Sequence, residues 1–249
     1  MAAEQHEREH EQQDVEVERV RDDRVVRDNR VELDAPEPEE LDPEELDPET
    51  RARRDAALRY VRRFGDPVLR ATAVPVELFD EDLERELERM GELMHDALGI
   101  GLAATQLGVL HRTLVYRADP EDPVTALVNP VLEWHSEELE SAEEGCLSLP
   151  GVHVEVERPA RVRVRAQDAS GGELSIEAEG LTARVIQHEI DHLDGILILD
   201  RIPRAERKQA MRAMREAQSQ DAAPARKREA PAPDREPARE PEPANASGS

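Results

Sequence analysis

The chain has 249 residues, 37% of them charged, and its 33 basic against 58 acidic side chains leave a formal charge of −25. So acidic a balance excludes a surface built for general nucleic-acid binding, and DNA as a partner with it. No apolar run approaches the roughly 18–20 residues of a membrane span, and residues 1–18 lack an apolar export core, so no membrane association and a cytoplasmic location are expected.

Residues 1–57 carry 21 acidic and 9 basic side chains, with Pro38-Glu39-Glu40-Leu41-Asp42 repeated as Pro43-Glu44-Glu45-Leu46-Asp47 and almost no apolar periodicity. Such a stretch buries too little apolar surface to offset its ordering entropy, so a disordered or transiently helical acidic extension is expected there. One folded domain is expected over 58–217. Within it Leu83, Leu87, Met90, Met94 and Ala97 recur at helical spacing up to Gly99, which predicts an amphipathic helix over 81–98 with a glycine stop signal. Short β-rich runs follow at 113–116 and 126–132. Val154/Val156, Val162/Val164 and Leu174/Ile176 then alternate with charged residues as half-exposed antiparallel strands do. A second helix is predicted over 182–193. A third, opening after Pro203 and carrying Arg204, Arg207, Lys208, Arg212 and Arg215, runs to about 217. Helices before and after a block of strands imply an α+β fold, with short antiparallel or mixed strands around a central helix. Residues 218–249, rich in Pro, Ala and charge, have linker composition and are expected to be a disordered tail.

The chemistry concentrates in His188-Glu189-Ile190-Asp191-His192. On a helix the two histidines project from one face and both can reach one metal, while Glu189 stands beside them as a base; an exposed charged helix with two incidental histidines is the plainer alternative. A catalytic centre takes three protein ligands and leaves a position for water, so a third donor must come from elsewhere. The extended peptidase pattern would place a histidine at 198, where the chain has Ile198, and Glu206 lies beyond a proline on a basic helix. The chain's single cysteine, Cys146, stands in a turn-like segment between Gly145 and Pro150, 42 residues before His188. Lone cysteines more often fill cores, but this placement makes Cys146, His188 and His192 the favoured set, and such a set suits zinc. In Gly99-Ile100-Gly101-Leu102-Ala103-Ala104-Thr105-Gln106 the glycines allow close backbone approach to a ligand, and the Gln106 amide can donate to a developing oxyanion. The same segment also reads as a helix end and tight loop with a surface glutamine.

Gly99 to Gln106, Glu144-Gly145-Cys146-Leu147-Ser148 and Gln187 to Gly195 together resemble the three signature motifs of the peptide deformylase family, in the family's order. Phe64-Gly65-Asp66-Pro67-Val68-Leu69-Arg70 and the stretch 158–164 are similar to other parts of it, so the resemblance covers about 58–215 and neither terminal extension. His153 departs from it, since some members carry an arginine there near the substrate entrance. The resemblance implies a peptide deformylase-like fold and a metallohydrolase that removes the N-formyl group from N-formylmethionyl nascent polypeptides, releasing formate. It implies one metal per chain on Cys146, His188 and His192, Fe2+ (iron) physiologically, with Zn2+, Ni2+ or Co2+ as substitutes. Glu189 would take a proton from an activated water and return it to the leaving amine, while Gln106 and the backbone N–H of Leu147 stabilise the oxyanion. Gly99, Ile100 and Gly101 would bind the substrate as an added strand, and Glu144 and Arg158 would orient the metal-holding loop. The basic helix offers a ribosome contact, a solvated helix being the plainer reading. A zinc peptidase of the HExxH class is the alternative function; it shares the helix but lacks its third ligand here.

Overall fold

The computed structural model describes residues 25–29 and 46–221. They run in the order β1 (Val25–Asn29), α1 (Pro48–Leu58), α2 (Glu81–Asp96), β2 (Gly101–Ala103), β3 (Thr113–Tyr116), β4 (Thr125–His135), β5 (Leu139–Glu144), β6 (Val154–Pro159), β7 (Arg161–Gln167), β8 (Glu173–Glu179), α3 (Gly180–Leu193), α4 (Ile198–Arg201) and α5 (Arg204–Asp221). This is the expected α+β arrangement, with helices flanking a block of strands. Six strands form one sheet in the order β1-β8-β7-β4-β3-β2, antiparallel except where β1 runs parallel to β8. β5 and β6 pair as a separate antiparallel hairpin.

Alternation along the strands decides which helix covers which face. β7 and β8 pair Val162 with Ala178 and Val164 with Ile176, bringing these side chains to one face, where Val185, Ile186 and Leu193 of α3 cover them. In β3 Leu114 belongs to this same cluster, while Val115 packs with Leu87, Met90 and Met94 of α2. β3 is therefore covered on both faces and is buried along its whole length. A third cluster joins Val154 and Val156 of β6 to Leu149, Ile198, Leu199 and Met214, so α4 and α5 close the end of the molecule that carries the hairpin.

Three differences from the sequence-based expectations have physical causes. α2 ends at Asp96, and the residue that turns the chain out of it with a left-handed backbone is Leu98, at φ 59°, with the Gly99 N–H donating to the Met94 carbonyl. Gly99 serves closeness instead: a Cβ there would lie 3.0 Å from Leu147 Cδ1. Second, order begins before residue 58. Asp47 caps α1 by accepting from the Glu49 and Thr50 N–H groups, Pro48 stands in its first turn, and Ala57 is buried with residues of α2. These start signals, an Asp followed by Pro, were present inside the acidic stretch but were outweighed by its composition. Third, α5 passes residue 217 and continues to Asp221. Residues 1–24 and 30–45 of the acidic extension, and the tail from 222 onward, lie outside the described residues.

β4 is irregular between Val128 and Val131, where Asn129 adopts φ 53°. Its amide makes that bend worthwhile: Oδ1 accepts from the Val76 N–H at 2.8 Å, and Nδ2 donates to the Val76 carbonyl at 2.9 Å and Gln167 Oε1 at 2.8 Å. Asn129→Ala strands those partners and leaves an alanine in the left-handed region. Denaturant unfolding is expected to show a loss of about 1–3 kcal/mol with an unchanged slope.

Candidate metal centre

Three segments converge at one end of α3. β5 delivers Glu144 and then the loop with Cys146 and Leu147; α3 presents His188, Glu189 and His192; and β2 with the turn after it supplies Gly101 and Gln106. Cys146 Sγ lies 3.2 Å from His192 Nε2, and one ligand atom each from Cys146, His188 and His192 fall within 4.8 Å of one another. The two imidazoles meet edge to face with ring centroids 5.0 Å apart. A thiolate and two imidazole nitrogens so close together form a donor set for a transition-metal ion.

The electrostatics fit such an ion. Burial and the neighbouring His188 push the His192 pKa well below the ordinary histidine range, which keeps the ring neutral as a ligand must be. At His188 burial acts in the same direction but is outweighed by Cys146, Glu144 and Glu189, so the surroundings of this ring favour positive charge. Burial likewise opposes the charge on Glu144, yet hydrogen bonds from His188 and Arg158 hold its carboxyl well below the usual carboxylate range. His188 Nδ1 donates to Glu144 Oε2 at 2.9 Å, which leaves Nε2 as the nitrogen free to face Cys146 and His192. Glu144 in turn accepts from Arg158 Nε at 2.6 Å and Nη2 at 2.9 Å, and from Arg184 Nη1 at 2.8 Å.

Glu189 is buried, and burial raises its pKa to about 7. Among the described residues its Oε2 has no hydrogen-bond partner. A buried carboxylate with an unpartnered oxygen beside a metal donor set is suited to exchange a proton with a small polar molecule. Gln106 is buried as well and is no surface glutamine. Its Oε1 accepts from the Ala103 N–H at 2.9 Å, which directs Nε2 toward Ser148 Oγ at 3.3 Å and Cys146 Sγ at 3.8 Å.

Of the three residues expected to bind substrate, Gly101 is the best placed. The Ile100 carbonyl accepts from Arg117 N–H, and its side chain packs toward the core between sheet and α3. By alternation the backbone groups of Gly101 point away from β3, toward the open side of β2 at the end of the sheet. A Cβ at 101 would fall inside contact distance of the Glu189 carboxylate and 2.9 Å from Val185 Cγ1. Gly101→Ala is therefore expected to keep its metal and lose roughly 10- to 100-fold in turnover as Glu189 is displaced, measured as kcat beside metal content.

The structure also places residues that the motifs alone did not single out. Ser148 and Thr105 are fully buried, and Thr105 Oγ1 donates to the His192 carbonyl at 3.1 Å. Arg184 ties Glu144 to the carbonyls of Val156 and Glu140, each at 2.8 Å, and so fixes the hairpin against α3. Asp191, between the two histidines in sequence, is not among the converging donors and instead accepts from Arg158 and Arg201. Spacing could not reveal these, because each partner lies on a different element of the fold. His153 sits at the hairpin rim with Nδ1 3.8 Å from Glu143 Oε1.

The polypeptide deformylase family matches residues 58–208. A peptide deformylase of Parafrankia sp. is 47% identical over 162 residues, which are 65% of this chain and 88% of that protein. One of Thermotoga neapolitana is 52% identical over 147 residues, 59% of this chain and 88% of the relative. The crystal structure of the peptide deformylase from Thermus thermophilus superposes with a TM-score of 0.60 at 45% identity, covering 64% of this chain and 95% of that one.

Proposed function

The chain belongs to the polypeptide deformylase family, metal-dependent hydrolases that remove the N-formyl group from nascent peptides, and within that activity we propose the following roles for its residues. Cys146, His188 and His192 hold one divalent ion, and their convergence on one point beside the buried Glu189 is the observation that carries the proposal. When bound, the ion supplies Lewis-acid chemistry, lowering the pKa of a water toward neutrality and polarising the formyl oxygen. Glu189 accepts a proton from the attacking water and delivers it to the departing amine, since expelling an unprotonated amide anion is prohibitively unfavourable. Gln106 Nε2, oriented by its bond from Ala103, and the Leu147 backbone N–H donate to the oxygen that gains charge as the formyl carbon becomes tetrahedral. Gly101 receives the peptide backbone on the open side of β2. Glu144 and Arg158 hold His188 in its ligating orientation.

Fe2+ is proposed as the physiological ion, although the donor set accepts zinc, nickel or cobalt. The test is formate release from a formyl-Met peptide by protein reconstituted anaerobically with each metal. The iron form is expected to be active and to inactivate on exposure to air, because a thiolate beside Fe2+ oxidises readily, while the Zn2+, Ni2+ and Co2+ forms persist. Equal air stability of all forms would count against cysteine ligation or against iron as the physiological ion. A histidine-bound zinc peptidase is disfavoured by position 198, where Ile198 is a core residue of α4. A catalytic domain centred on 58–217, extended by the packed helix α1 before it and by the end of α5 after it, a cytoplasmic location and a ribosome contact through α5 complete the proposal. Arg204, Lys208 and Arg215 are exposed on that helix, whereas Arg207 pairs with Asp200 at 2.9 Å. No helix among the described residues is long and apolar enough to cross a membrane.

A further inference from the structure

We infer that Arg201 is a positioning residue for the metal centre, acting on His188 through Asp191, Arg158 and Glu144. The inference rests on the reading of Cys146, His188 and His192 as metal ligands. Arg201 stands at the last position of α4, and its Nε donates to Asp191 Oδ2 at 2.9 Å while Nη2 holds Asp191 Oδ1. Asp191 Oδ2 also accepts from Arg158 Nη1 at 2.9 Å. Arg158 grips Glu144 through Nε and Nη2, and Glu144 accepts from His188 Nδ1. Positive and negative groups thus alternate along an unbroken line of hydrogen bonds from α4 to a ligand.

The planarity of the guanidinium group makes this line mechanical as well as electrostatic. Three donors of Arg158 are engaged in one plane, two by Glu144 and one by Asp191, so Arg158 keeps its aim at Glu144 only while Asp191 is itself fixed. Arg201 fixes it by taking both carboxylate oxygens. Without Arg201, Asp191 is a buried carboxylate served by one arginine, free to turn and to pull Arg158 away from Glu144. The side chains of Asp191, Arg158, Glu144 and His188 are 7%, 4%, 5% and 12% exposed, but that of Arg201 is 42% exposed. Arg201 is therefore the outer end of the line, and its replacement disturbs the site without opening a hole in the core.

The test uses the full chain loaded with Co2+, whose thiolate absorption reports ligation and whose affinity is read by competition with a chelator. Arg201→Met is expected to weaken Co2+ binding by about 3- to 10-fold, less than the 10- to 100-fold typical when a direct partner of a ligating histidine is removed. Arg201→Lys, which keeps the charge and one of the two bonds, is expected to recover part of that loss. Arg207→Met, which removes a neighbouring arginine paired with Asp200 instead, is expected to change nothing. In a Glu144→Gln background the effect of Arg201→Met should disappear, because the line is already cut between the two, whereas a general loss of stability would add to it. Unchanged Co2+ affinity in Arg201→Met, or equal losses in both backgrounds, would overturn the inference and leave the metal reading intact. Absence of the cobalt–thiolate band in the unaltered protein would overturn both.

Discussion

Glu189→Ala is expected to keep its metal and lose roughly 10²–10⁴-fold in turnover on a formyl-Met peptide. The carboxylate is not one of the three converging donors, so metal content measured after gel filtration should equal that of the parent. What disappears is the carrier of both proton transfers, from the water to the leaving amine. Because Glu189 is buried and its Oε2 has no partner among the described residues, no neighbouring side chain stands ready to replace it. The loss should fall on kcat more than on KM, since in the proposed arrangement Gly101 and not the carboxylate receives the peptide backbone. Loss of metal together with activity would make Glu189 a ligand and overturn the roles proposed.

Arg158→Met should be the most damaging single change to the scaffold of the site. It removes a guanidinium whose side chain is 4% exposed and leaves two buried carboxylates, Glu144 and Asp191, each short of a partner. Removing one member of a buried ion pair costs about 3–5 kcal/mol, and loosening a ligand's hydrogen-bond partner costs about 10- to 100-fold in metal affinity. Chemical unfolding of the metal-free protein and chelator competition measure the two separately. Acid sensitivity gives a third readout with a definite sign. Glu144, held below its ordinary pKa in the folded chain, stabilises above the pKa it has when unfolded, and that contribution is lost as pH falls through the folded value. Without Arg158 the folded value rises, so acid unfolding should begin at a higher pH. A stability loss with unchanged metal affinity would confine Arg158 to the fold.

The parts of the molecule that were legible in the sequence are those with a local signature. β3 coincides with the expected strand because a short run of β-favouring residues, Thr113 to Tyr116, follows a glycine-punctuated loop, and α3 is marked by its histidine spacing. Cys146 could be paired with the histidines only because the donor count demanded a third ligand. What escaped were elements defined by partners. β5, Leu139-Glu140-Ser141-Ala142-Glu143-Glu144, is mostly polar and becomes a strand by pairing residue for residue with β6. β2 is three residues long in a stretch whose glycines suggested a loop, and α1 was hidden by the acidity around it. Asp191 was legible only as a spacer between ligands, since its role depends on Arg158 and Arg201, 33 and 10 residues away.

The thiol of Cys146 is half-buried at the metal centre and is also the single cysteine of all 249 residues. Every sulfhydryl equivalent that a colourimetric reagent detects in the undenatured protein therefore originates from the proposed ligand position, with no background from elsewhere in the chain. A thiol held by an ion reacts slowly and one without an ion reacts fast. The fast and slow amplitudes of one labelling time course thus divide a preparation into empty and loaded molecules, giving its active-site concentration before any substrate is added.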